Sequence, residues 1–153
     1  MLTIGPGLTW NPNPPSLEQA SVALDKSLSL GSNFWNGGEL YGTPDRNSLH
    51  LLKDYFESRP KGTADRIVLS IKGGLKPGQL APDGSEENIR RSVRDSLAGL
   101  GGTKTKIDVF ECARIDPAVG VESTVKSLKK LVDEGLIGAI GLSEVDAETI
   151  KKA

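Results

Sequence analysis

Four short apolar, β-branched stretches begin near residues 33, 66, 106 and 137, and a segment of helical periodicity fills every gap between them. That alternation constrains the fold more than any other feature. Strands joined through helices pair in parallel by right-handed crossovers, so the pattern predicts repeated βα units and a parallel sheet. A weaker strand candidate lies around Leu2 to Leu8, which brings the series to five units. The helical segments carry their own boundary marks. "SLEQASVALDKSLSLG" opens on Ser16 with Gln19 three positions later, a capping box, and closes on Gly31. "NSLHLLKDYFESR" puts Leu49, Leu52 and Phe56 on one face. "SEENIRRSVRDSLAGLG" starts at Ser85 with two acids and spaces Ile89, Val93, Leu97 and Leu100 for a helix ending at Gly101. "VESTVKSLKKLVDEG" and "DAETIKKA" supply the last two helices.

Two α/β architectures satisfy this pattern. A five-stranded doubly wound sheet needs about this length, whereas a (β/α)8 TIM barrel needs roughly 250 residues, of which this chain would be the first five units. "GPGLTW" lacks the third glycine of a dinucleotide fingerprint, and no G-x-x-x-x-G-K-[ST] loop occurs. The residue pattern leaves both architectures open.

Composition narrows the function classes. The 153 residues are 37% hydrophobic and 25% charged with a net charge of −1, a globular balance. No basic stripe with interleaved aromatics appears, which argues against a nucleic-acid partner. Apolar runs such as IVL at 67–69 are too short to span a bilayer, and no secretion signal opens the chain. A cytoplasmic, small-molecule role is the expectation. With one cysteine, Cys112, and one histidine, His50, the chain offers no internal disulfide, no charge-relay triad and no His-rich metal cluster.

In either architecture ligands meet the carboxyl ends of parallel strands. Asn36 follows Phe34-Trp35, Lys72 ends IVLSIK, Arg114 follows FECA, and Ser143-Glu144 close IGAIGL. Tyr41 lies just past Asn36-Gly37-Gly38-Glu39. A free phenol titrates at about 10, but a nearby ammonium favours the phenolate, so a Tyr beside a Lys can act as general acid toward a carbonyl. Residue types alone leave a second reading open, with Tyr41 packed over the mouth and Lys72 solvated. Arg114 suits an anion clamp or a contact with a neighbouring loop. Trp10 and Trp35 suit the wall of a flat pocket or the core. Glu111 and Asp116 flank one strand end as weak Mg²⁺ candidates. His50 reads as a helix-surface residue and Cys112 as a small buried hydrophobe.

These strand ends match a family. FWNGGELYG resembles the F-D-T-A-E-x-Y-G signature of the aldo-keto reductases, and IVLSIKGGL resembles their lysine-bearing third strand. "SVRDSLAGLGGTKTKIDVFECARID" is similar to the run into their fourth strand, and "LVDEGLIGAIGLSEVDAETIKKA" to their L-x-x-x-G-K-I-R-x-I-G-V-S-N region. The matches are collinear over nearly the whole chain. FWNGGE and FECARIDP resemble the fungal pyridoxal reductase branch.

The resemblance implies a TIM barrel and NADPH-dependent reduction of an aldehyde, pyridoxal in that branch. Tyr41 would donate the proton with Lys72 tuning it, and Asn36 would stand where the family has a catalytic Asp. Ser143 falls where the nicotinamide carboxamide is held, with Glu144 where many members have Asn. Gly7, Thr9 and Trp10 match the first strand end beside the nicotinamide. Trp35, Ala113 and Arg114 would border the substrate. Two departures follow from the comparison. Lys72 loses its carboxylate partner at Asn36, and Ala113 replaces a His that polarises the carbonyl. The resemblance also implies that residues 1–153 are the N-terminal portion of a longer barrel, expected to be inactive and aggregation-prone alone. A non-catalytic binding protein on the same fold, like the channel β-subunits, is the competing expectation, and a complete doubly wound domain the third.

Overall fold

The structure, a computed structural model, describes residues 2–3, 15–43 and 45–153. Strand β1 (Leu2–Thr3) is followed by helix α1 (Leu17–Ser29) and strand β2 (Phe34–Gly38). A small hairpin, β3 (Gly42–Thr43) and β4 (Arg46–Asn47), leads into α2 (Ser48–Glu57). Strand β5 (Val68–Gly73), α3 (Glu86–Gly99), β6 (Ile107–Cys112), α4 (Val121–Asp133), β7 (Ile137–Leu142) and α5 (Ala147–Lys152) complete the order. The strands expected near 33, 66, 106 and 137 therefore form, and the Leu2 candidate pairs over Leu2–Thr3.

The sheet decides between the two architectures. Its five parallel strands run β1-β2-β5-β6-β7, in chain order and without reversal. A doubly wound sheet must reverse at a switch point. An unreversed series of right-handed crossovers instead lays every helix on one side, as in a barrel wall. Each helix packs on the next, from α1 to α5, in a single row. The fold is an α/β partial TIM barrel, and the doubly wound alternative is set aside.

The helix signals act as the sequence predicts. Ser16 and Gln19 form the reciprocal capping box of α1, Ser85 accepts from the Asn88 amide to cap α3, and Gly31 takes φ 78° just past α1, a region other residues avoid. His50 is the third residue of α2, where its Nδ1 accepts from the Asn47 amide and closes a second capping box.

The core lies between sheet and helices. Trp35, Leu69, Ile71 and Phe110 are fully buried, as are Leu52, Ile89, Val93, Leu128 and Leu131 from the helices or near-fully so. Trp35 stacks on Phe56 at 6.4 Å and meets Tyr55 at 5.6 Å, and its Nε1 donates to the Ser32 carbonyl. This corrects the expectation that Trp35 borders a ligand ring. Successive strand residues alternate faces, and the register that turns Asn36 inward turns Trp35 toward α2. Tyr55 extends the cluster outward, donating to Asp25 of α1 while Arg59 binds the same carboxylate. Burial, reinforced by Asp25, pushes the Tyr55 phenol up to about 12. Among the described residues no helix is long and apolar enough to cross a membrane.

Trp35→Ala is expected to destabilise the fold by about 3–5 kcal/mol through the cavity it leaves. Urea denaturation followed by circular dichroism measures the loss.

Candidate active site

The register fixes which residues share the inner face of the sheet. Asn36 pairs with Ser70, Gly38 with Lys72, Lys72 with Glu111 and Glu111 with Gly141. One polar layer therefore crosses three strands near their carboxyl ends, with Gly141 of β7 beside it. Above it opens a cleft of about 220 Å³ lined by residues that include Gly38, Tyr41, Lys72, Gly73, Ala113, Arg114, Ser143 and Glu144. The strand-end residues picked from sequence thus converge, with two exceptions. Trp35 is in the core, and Asn36, only 3% exposed, lies in the layer beneath the cleft. Gly7, Thr9 and Trp10 fall outside the described residues.

Tyr41 is held by its backbone. Its amide donates to the Gly38 carbonyl at 3.2 Å, and its carbonyl accepts from the Ser48 amide at 2.9 Å. The Ser48 hydroxyl donates to the Gly38 carbonyl and accepts from the Gly38 amide, at 2.8 and 2.9 Å. Glu39 N–H donates to the Lys72 carbonyl, and Asn47 Nδ2 to the Glu39 carbonyl. The loop is thereby tied to both β5 and the start of α2. Gly38 lets the chain pass close to its neighbours. A Cβ there would stand 3.3 Å from the Tyr41 ring and 3.3 Å from the Lys72 carbonyl oxygen.

Beneath the cleft, Glu111 gathers the polar layer. Its Oε1 accepts from Asn36 Nδ2 at 2.5 Å and from the Ser70 hydroxyl, and its Oε2 lies 3.9 Å from Lys72 Nζ. The expectation that Lys72 lacks a carboxylate is corrected by this contact from the neighbouring strand. Asp116 turns elsewhere, accepting from the Gly84 and Ala118 amides. Among the described residues no three acidic, His or Cys side chains gather as a metal site.

The rim is closed by charge. Arg114 Nε donates to Glu144 at 2.9 Å, and its Nη1 donates to the Leu80 carbonyl. The guanidinium therefore contacts the neighbouring loop, the second of its two expected roles. The hydrogen bond and charge of Arg114 hold the Glu144 carboxyl below its usual range. Glu144 also takes φ 58°, the one positive value outside glycine among the described residues. Ala113 presents a methyl group, and only its amide is engaged, donating to the Gly73 carbonyl. Burial pushes the Cys112 thiol up to about 11, away from reactive thiolate. A larger groove of 730 Å³ runs outside the loop past Glu39, His50 and Arg91. It touches neither Tyr41 nor Lys72, so size alone does not mark the chemistry.

The aldo/keto reductase family model matches residues 2–153. The chain belongs to the aldo/keto reductase family. It is 49% identical over 148 residues to the Schizosaccharomyces pombe protein named "Probable pyridoxal reductase 2", covering 96% of this chain and 44% of that protein. It is 36% identical to a Saccharomyces cerevisiae protein also named for pyridoxal reductase, covering 94% of this chain and 44% of that one. The chain thus spans less than half the length of these relatives. The fold is shared with a solved aldo-keto reductase of Bacillus halodurans in its holo form, at a TM-score of 0.72 and 23% identity over 90% of this chain and 45% of that one.

Ser48, Ser70 and Glu39 escaped the sequence reading. Ser48 reads as an ordinary helix-start serine, and only the fold shows that it clamps the tyrosine loop. Ser48→Ala is expected to cost about 1–3 kcal/mol by stranding the Gly38 amide, measured by urea denaturation. Glu39 is half-buried against Ser92 and Arg91, and burial raises its carboxyl above the usual range. A carboxyl raised in the fold favours folding below its unfolded titration, and that contribution is lost as pH rises through its folded one. Glu39→Gln removes this loss, so its stability relative to wild type should rise as pH climbs above the ordinary glutamate value of about 4.3.

Proposed function

We propose that these residues are the N-terminal portion of an NADPH-dependent reductase that converts an aldehyde, most specifically pyridoxal, to its alcohol. The observation that carries the reading is the shared cleft of Tyr41 and Lys72, with the tyrosine backbone locked by Ser48. The names of the fungal relatives carry the choice of aldehyde.

The described cleft suits the reacting end of the cofactor. Small-molecule sites usually hold about 300–1,000 Å³, and 220 Å³ seats one ring rather than a dinucleotide. Ser143 stands on its wall with a hydroxyl able to bind a carboxamide. Bound NADPH would supply the hydride. Tyr41 then gives its phenolic proton to the carbonyl oxygen, which becomes the alcohol hydroxyl, and the Lys72 ammonium stabilises the phenolate left behind. Ala113 offers the substrate carbonyl no side-chain donor. An aldehyde polarised from within meets that lack, and pyridoxal qualifies, with its carbonyl on an electron-poor pyridine beside a hydroxyl.

The test is Tyr41→Phe in the full gene product. Turnover of pyridoxal with NADPH should fall by about 10²–10⁴, while cofactor binding, read by nucleotide fluorescence, persists. A wild-type protein that binds the nucleotide and turns over no aldehyde would instead establish the binding-protein alternative.

A further inference from the structure

Glu111 is the one carboxylate within ion-pair distance of Lys72 among the described residues. It sits directly opposite Lys72 in the β5–β6 register, with both oxygens directed to named partners. Its side chain is 18% exposed and that of Lys72 27%, so water screens the pair only in part. The space for it is reserved by the next strand. Gly141 faces Glu111 in register, and a Cβ at Gly141 would stand 2.7 Å from Glu111 Cγ. A residue with any side chain there would displace the carboxylate. Asn36 and Ser70 have no charge to offer, so they fix one oxygen and leave the other to Lys72.

We propose that Glu111 is a positioning residue of this site, holding the Lys72 ammonium from beneath and setting the charge that Tyr41 meets. The lysine's carboxylate then stands on β6, where the family resemblance implies one on β2, and Asn36 donates a hydrogen bond to it. The other charged or titratable groups lining the cleft with Lys72 are Glu39 and Tyr41 from the loop after β2, Arg114 from the loop after β6 and Glu144 from the loop after β7. Arg114 already binds the Glu144 carboxylate, and Ser92 and Arg91 engage that of Glu39, which leaves Glu111 as the counter-ion. The pairing stands on geometry alone. Its consequence for turnover rests on the reductase reading above.

The test separates the two. Lys72 acetylation by acetic anhydride at about pH 8 is read by peptide mass spectrometry against exposed Lys126 in the same chain. Glu111→Gln removes the ion-pair partner of Lys72 and frees its amine to react, so the Lys72 to Lys126 ratio should rise at least about threefold. Adding Asn36→Asp returns a carboxylate to the polar layer and should bring the ratio back toward wild type. Simple loosening of the site predicts no such return. An unchanged ratio, or a rise that Asn36→Asp leaves in place, overturns the pairing. In the full gene product, Glu111→Gln should lower kcat about tenfold or more with KM within about threefold, and Asn36→Asp should restore part of it. An altered labelling ratio with kcat unchanged overturns the positioning role. A wild type without turnover removes the reductase reading, and the labelling ratio still decides the pairing.

Discussion

A carboxylate at the centre of a sheet face costs several kcal/mol to desolvate unless its oxygens are satisfied. Glu111 meets that demand with partners from two other strands, and the strand register is what delivers them. The register is in turn set by the opposite face. A slip of one residue would carry Trp35 inward and Asn36 outward, exchanging a buried aromatic for an amide in the core. The apolar packing of Trp35, Leu69, Ile71 and Phe110 under the helices therefore fixes the polar geometry on the side away from them. Core and site are two faces of one constraint.

The two sides of the cleft are built differently. Tyr41 is anchored through buried hydrogen bonds of Ser48 and Gly38, which hold their geometry because breaking any of them strands a polar group. The facing rim depends on Arg114 and Glu144, exposed groups whose ion pair is worth little in water. If Tyr41 donates the proton as proposed, a loop with a fixed backbone facing a rim that yields would suit a site whose ligand must enter and leave while the reacting geometry stays fixed.

Apolar runs and helix caps in the sequence mark the strands of the main sheet and its helices, and strand ends bring Tyr41, Lys72, Arg114 and Ser143 to one rim. Ala113 enters only through the resemblance, and the β3–β4 hairpin carries no such mark. Strand ends are visible where apolar runs stop. The choice between barrel and doubly wound sheet was not readable from the residues, because strand order is a tertiary property that both topologies realise with the same local pattern. Trp35 suits a pocket wall or the core by residue type, and the resemblance alone places it beside the substrate. In FWNG the neighbours Trp35 and Asn36 are both plausible at a pocket, and only pairing with β5 says which one points inward. Glu111 stands out in the sequence only as a weak Mg²⁺ candidate, since its partners Asn36, Ser70 and Lys72 lie on strands far away in sequence.

If Glu111 is the lysine's counter-ion, as proposed, its place on β6 rather than on β2, where the family resemblance implies it, changes the charge around the cleft. A carboxylate on β2 would approach Lys72 from the side of Tyr41's own strand, whereas Glu111 approaches from the side of Ala113 and Arg114. Negative charge then lies beneath the wall where the substrate carbonyl would rest, and a charged donor placed at residue 113 would be drawn toward it rather than toward the substrate. Ala113 avoids that competition. Asn36, Glu111 and Ala113 are on this view one coupled solution: the amide orients the carboxylate, the carboxylate holds the lysine, and the methyl group keeps the wall neutral.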